Sequence, residues 1–242
     1  MESTNKPFNF IQEQQQTVSV ARTYLSGVFM WMFLALGITA ATAYLFSVTP
    51  SLRTLLINPE TGSMSITGWI VMLAPLGLVI WMSAGASKLS ASSMLLIFVL
   101  FSILLGASLS FIFLAYTGAS IAKTFVITSA MFGFMGVLGY TTKTDLSRFG
   151  NIMMMGLFGL IIAMVVNMFM KSSTMDYIIS FIGVLVFTGL TAYDVQKLKR
   201  IGAGLTTGTE ETRKLTILGA LTLYLDFINL FLFLLRFFGN RK

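Results

Sequence analysis

Apolar stretches of helix length recur along the whole chain, and short polar segments separate them. Seven runs, at roughly 24–46, 67–87, 92–115, 121–141, 151–170, 176–196 and 215–238, each reach the ~20 residues that a helix needs to cross about 30 Å of hydrocarbon. The pattern predicts an all-α membrane protein of seven transmembrane helices, one domain over 22–242, behind a polar tail at 1–21. That tail, "MESTNKPFNFIQEQQQTVSVA", lacks a compact apolar core followed by a small-residue cleavage site, so it does not read as a removable signal peptide.

The segments between runs carry their own signals. The longest, "SVTPSLRTLLINPETGSMSIT", predicts a loop with a short interfacial helix at "SLRTLLI". "YTGAS" and "KSSTM" are so short that each predicts a tight antiparallel hairpin of its two flanking helices. Small residues in "LLGASLSF" and "MFGFMGVLG" predict close backbone approach, the usual packing device between membrane helices. The glycines of "GFMGVLG" are no dinucleotide fingerprint, because they lie within an apolar run with no strand before them. Trp69 and Tyr24, near the ends of runs, suit interfacial anchoring. In "TTGTEET", Thr207 and Glu210 stand at capping-box spacing, so the last helix is expected to start before the membrane does.

Composition agrees: 56% of residues are hydrophobic and 10% charged. The net charge of +7 sits mainly between the runs, where basic residues set membrane orientation rather than bind nucleic acid. Arg53, Lys123, Lys171, Arg236, Arg241 and Lys242 fall on one side and the other ten of sixteen Lys and Arg on the opposite side, which predicts a cytoplasmic N-terminus and an external C-terminus. There is no cysteine, hence no disulfide or thiolate metal site, and no histidine. Proton chemistry near neutrality therefore falls to carboxylates, lysines or tyrosines.

Of the nine acidic residues, seven lie in tails, loops or at the ends of runs, and two do not. Asp194, in "TGLTAYDVQKLK", is toward the expected cytoplasmic end of the sixth run, and Asp226 is near the middle of the seventh. An aspartate at the centre of a membrane helix costs about 2.5–3.5 kcal/mol on insertion scales, so such residues usually mark a functional site. Helical spacing adds Thr191 before Asp194, and places Gly219, Thr222, Asp226 and Asn229 on one face of the last helix. The two acids meet only if the last helix begins well outside the bilayer. Two neighbouring carboxylates resist ionising together, so such a pair can hold a shared proton near neutral pH and release it in alkali. Fully ionised, it offers four oxygens to a hard divalent cation; calcium prefers about 6–8, so the two aspartates make a weak site from which an ion can leave.

"YDVQKLK", "LTLYLDFINLFLFLLRFFG" and "KTDLS" closely resemble the transmembrane Bax inhibitor motif family in its bacterial branch. The resemblance implies a last helix wrapped by the other six, a pH-sensitive calcium leak through the bacterial inner membrane, and Asp194 and Asp226 as the paired proton sensor. No cofactor is implied; calcium and protons are the expected ligands, and the bilayer the expected partner. Bacterial members can carry a basic latch residue at the end of the second span, where this chain has Ser83. Its absence predicts a leakier or differently gated protein. Two other readings compete. An intramembrane aspartyl protease also pairs two aspartates, but "LYLD" lacks the glycines of its "GxGD" motif and no "PAL" follows. A non-conducting regulator binding other membrane proteins through small-residue faces fits the same helices.

Overall fold

A computed structural model describes residues 6–242, with side chains along the first helix described from Ser19 onward. Among the described residues the helices are α1 (Lys6–Val48), α2 (Pro50–Leu56), α3 (Ile66–Ala84), α4 (Ala91–Leu109), α5 (Ile112–Ala115), α6 (Gly118–Thr141), α7 (Ser147–Met170), α8 (Ser173–Ala203) and α9 (Glu210–Phe238). Seven stretches are long and apolar enough to cross a membrane: Ser19–Val48, α3, Ala91–Ala115, α6, α7, α8 and α9. Each coincides with one of the expected runs. Of the polar tail, residues 1–5 lie outside the described residues, and α1 begins at Lys6.

Serine and threonine start most of these helices. The hydroxyls of Ser65, Ser90, Thr117, Ser172 and Thr209 each accept the backbone N–H three residues on, a cap worth about 1 kcal/mol. The last of these corrects an expectation: the cap of α9 is Thr209, bonded by Thr212 N at 3.1 Å, rather than a Thr207–Glu210 box. Glu210 instead reaches across to α4, where its Oε1 accepts from Ala91 N at 2.6 Å. The short helix in the long connection forms as α2, and Gly62, at φ 66°, supplies the left-handed residue of the turn that follows.

The last helix packs against α1, α4, α6 and α8, while α3 packs on α4 and α7 on α8. Burial follows this order: 72% of the most apolar window of α9 is buried, against 6% for α7. The outer helices present large apolar side chains such as Ile66, Met155 and Phe169 outward, a surface suited to lipid.

The two short connections behave differently. α7 and α8 form the expected hairpin, but α6 packs on α8 and α9 rather than on α4. The C-terminal segment occupies the turn instead: Lys242 N donates to Ala115 O at 3.0 Å, Thr117 N to Asn240 O at 3.3 Å, and Asn240 N to Ser120 Oγ at 3.0 Å. Glycines are likewise selective. A Cβ on Gly139 would run into the Ala192 carbonyl of α8, and one on Gly106 would come 2.6 Å from the Thr39 carbonyl of α1, so both keep two helices in close contact. Gly133 has nothing within 4 Å of that position, and close packing does not explain it.

Tyr24 is not an interfacial anchor. It is 4% exposed, and its hydroxyl donates to Leu215 O at 3.2 Å, tying α1 to α9 within the core. Trp69, 53% exposed near the start of α3, does suit the interface.

Candidate functional site

The site is built by α8 and α9, which approach closely at two glycines. A Cβ on Gly219 would come 2.9 Å from Leu198, and one on Gly183 would come 2.6 Å from the ring of Phe233. Asp194 and Asp226 lie between these two contacts. They line one cavity and are close enough for their carboxyls to interact. Two ionised carboxylates have no donor between them, so a direct hydrogen bond across such a pair needs a proton on one of the two. Both residues are buried, and Asp226 Oδ2 is enclosed with no hydrogen-bond partner.

The axial offset between the acids resolves as expected. Asp226 lies about 24 Å along α9 from Glu210, and Asp194 about 14 Å from the end of α8 at Ala203, so α9 begins roughly 10 Å farther out. The early start at Glu210 is what brings the acids to one level.

Both acids line a cavity of about 760 Å³ between α7, α8 and α9, along with Thr222 and Asn229. The polar stripe is therefore present, but it does not bond to the carboxyls. Thr222 donates to Leu218 O at 3.1 Å, and Asn229 Nδ2 donates to Leu225 O at 2.8 Å, which leaves the Asn229 carbonyl as an acceptor. Thr191 is fully buried, donates to Phe187 O at 2.8 Å and does not line the cavity. Ser83 is exposed on α3 and stands away from the pair; the α3 residue at the cavity is Leu76. Among the described residues no group of three or more acidic side chains gathers to hold a metal.

Two cations border the site that the sequence reading did not single out. Lys197, one turn beyond Asp194, lines this cavity and a smaller one of about 120 Å³ shared with Tyr24 and Leu215. Arg236 lines the opposite end and also a polar recess of about 460 Å³ at the C-terminal end, where its Nη1 is 3.2 Å from Asp176 Oδ1. The signal for Arg236 was available. The three-then-four rhythm of the stripe runs on from Asn229 through Phe233 to Arg236.

The family model described as "Inhibitor of apoptosis-promoting Bax1" matches residues 21–242. The chain belongs to this family. It is 50% identical over 222 residues to inner membrane protein YbhL of Escherichia coli K12, covering 91% of this chain and 93% of that one. It is 42% identical over 232 residues to a protein of Borreliella burgdorferi, covering 96% and 98%, and 43% identical over 224 residues to protein RP147 of Rickettsia prowazekii, covering 91% of each. With seven spanning helices and these relatives, the chain is an integral membrane protein of the bacterial branch of the Bax inhibitor family.

The motifs that carry the family resemblance are in mutual contact. Gln196 of "YDVQKLK" accepts from Leu146 N and donates to Thr144 O, both at 2.8 Å, within "KTDLS". Arg200, a turn on, reaches Asp145 at 2.6 Å and Ser147 at 3.1 Å. Successive residues on a helix point about 100° apart, so Asp194 faces α9, Val195 faces α1 and α6, and Gln196 faces the α6–α7 connection. That run of α8 thus joins the acid pair to the rest of the bundle.

Proposed function

We propose that this Bax inhibitor family protein is a pH-sensitive calcium leak channel whose sensor is the pair Asp194 and Asp226. The single observation that carries the reading is the buried approach of the two carboxyls across α8 and α9, with Asp226 Oδ2 left without a partner beside a largely apolar cavity. A pair sharing one proton presents less charge and holds the two helices together. Loss of that proton leaves two like charges in a poorly solvated place, which drives the helices apart and offers a divalent cation its ligands. Flux should accordingly rise as pH rises. Calcium is cargo here, held weakly by two carboxylates, the Asn229 carbonyl and water.

The path in this reading runs from the recess at Arg236, through the aspartate cavity, to the small cavity beside Lys197. In this reading the side that carries Lys143, Arg148, Lys197, Lys199, Arg200, Arg213 and Lys214, around the connections at 142–146 and 204–209, faces the cytoplasm, which puts Arg236 outside, and the membrane is the bacterial inner membrane. With Ser83 away from the site, Lys197 is the cation nearest Asp194 and acts on it from the same helix. The protein is not an enzyme in this account. Calcium flux in liposomes, measured against pH for the parent, Asp194→Asn and Asp226→Asn, tests it. pH-dependent flux that is lost in both variants supports the channel. Absence of flux with cleavage of a membrane peptide points to a protease, and absence of both to a non-conducting regulator.

A further inference from the structure

α1 and α6 run side by side with little packing between them, since α1 packs mainly on α4, α8 and α9, and α6 on α8 and α9. The gap between them is a cleft of about 760 Å³ whose walls include Leu25, Phe29 and Phe33 of α1 and Phe132 and Val137 of α6, with Val195 of α8 at its base. Toward the C-terminal end a second cavity of about 420 Å³ continues the seam between Ala40 and Ala122, over Phe227 and Phe231 of α9. Two glycines hold the larger cleft open. Gly133 meets nothing within 4 Å and Gly136 only Val195 and Phe29 at 3.9 and 4.0 Å, whereas Gly139, one turn farther on, is in tight contact with α8.

The cleft is polarised along its length. Arg22, Ser26 and Tyr140 line the end nearest the start of the α1 span, and beyond them the lining is aromatic and aliphatic. Lys199 adds a second cation there, with its Nζ donating to Tyr140 O at 2.7 Å and lying 4.7 Å from the Tyr140 ring centre. From Arg22 to Phe33 is about 16 Å along α1, close to the roughly 15 Å depth of one hydrocarbon leaflet. A cationic mouth over an apolar slot one leaflet deep fits an amphiphile with an anionic head. Basic pockets between spanning helices are known to hold such head groups, and the volume is within the roughly 300–1,000 Å³ of ligand pockets.

We propose that the α1–α6 cleft is a binding site for one anionic phospholipid, its phosphate at Arg22 and an acyl chain along Phe29, Gly133 and Phe33. The site is independent of the calcium reading and needs no ion flux to be seen. Purified protein in mild detergent, mixed with dioleoyl phosphatidylglycerol or dioleoyl phosphatidylethanolamine, is weighed by native mass spectrometry. The expected result is one retained phosphatidylglycerol per chain, preferred several-fold over the zwitterionic lipid. Arg22→Gln should bring the two lipids to parity, and Gly133→Leu, whose added side chain grows into open space, should cut retention of both several-fold. Gly159→Leu, at a glycine of α7 that also meets nothing within 4 Å, should leave retention unchanged. If Gly133→Leu lowers the melting temperature without lipid, Ser26→Trp fills the cleft from the opposite wall and is read in its place. Equal retention of the two lipids by the parent, retention indifferent to both Arg22→Gln and the filling variant, or a second copy of the chain retained instead of lipid would overturn the site.

Discussion

Arg236 of α9 and Asp176 of α8 form an ion pair of 3.2 Å at the C-terminal end of the aspartate cavity, and Arg241 adds a second cation 3.9 Å from the same carboxylate. The guanidinium lines both the outer recess and the inner cavity, so a cation entering from that end meets positive charge first. Arg236→Ala is expected to raise calcium flux at neutral pH about 3- to 10-fold, equivalent to about 0.7–1.4 kcal/mol of barrier. Liposome flux at fixed pH measures it, and the pH dependence should survive.

Gln196 serves two backbone groups of the α6–α7 connection while 6% exposed. Gln196→Leu leaves Leu146 N and Thr144 O without that partner, at a cost of about 1–3 kcal/mol. A lower melting temperature in detergent is the expected outcome.

The tie between α1, α4 and α9 is a relay. Thr39 Oγ1 donates to Ser102 O at 2.9 Å and accepts from the Tyr224 hydroxyl at 2.7 Å. Tyr224→Phe removes one bond and leaves the other, so a loss of about 0.5–1.5 kcal/mol is expected, again by thermal unfolding.

Asp145 in the α6–α7 connection is an internal control for pH. The Arg200 guanidinium, and then Ser147, hold its carboxyl well below the usual carboxylate range. A carboxyl lowered on folding contributes stability above its unfolded value of about 3.9 and loses it only as pH falls through the lower folded value. Between pH 5 and 9 it stays ionised, and because the pair is exposed, solvent screens it. Asp145→Asn should therefore leave the pH profile of flux unchanged over that window. A displaced profile would assign part of the pH response to this loop.

How far these features were legible in the sequence depends on the kind of signal. Helix number and the meeting of Asp194 with Asp226 were readable because membrane helices must be long and apolar, and a buried acid stands out against them. Packing partners were less so. "YTGAS" is short enough for a hairpin, yet α6 packs on α8 and α9, and the C-terminal segment at 240–242 takes the turn. Tyr24 sits near a span end, but its hydroxyl finds a carbonyl of α9 only because α1 leans on that helix. Thr191 has the right spacing yet satisfies its own helix, since a buried hydroxyl takes the nearest carbonyl four residues back. Gly133 and Gly139 look alike in "GFMGVLG", and only the position of α8 distinguishes a contact from an opening.

In the proposed channel, one proton shared by Asp194 and Asp226 controls the path. Infrared difference spectroscopy of the protein in bilayers, titrated from acid to alkali alongside calcium flux, tests it most directly. A protonated-carboxyl band should disappear over the same pH interval in which flux rises, with both band and pH response gone in Asp194→Asn and in Asp226→Asn. A band that persists unchanged in both variants, or flux that titrates without it, would rule out the shared proton as the control.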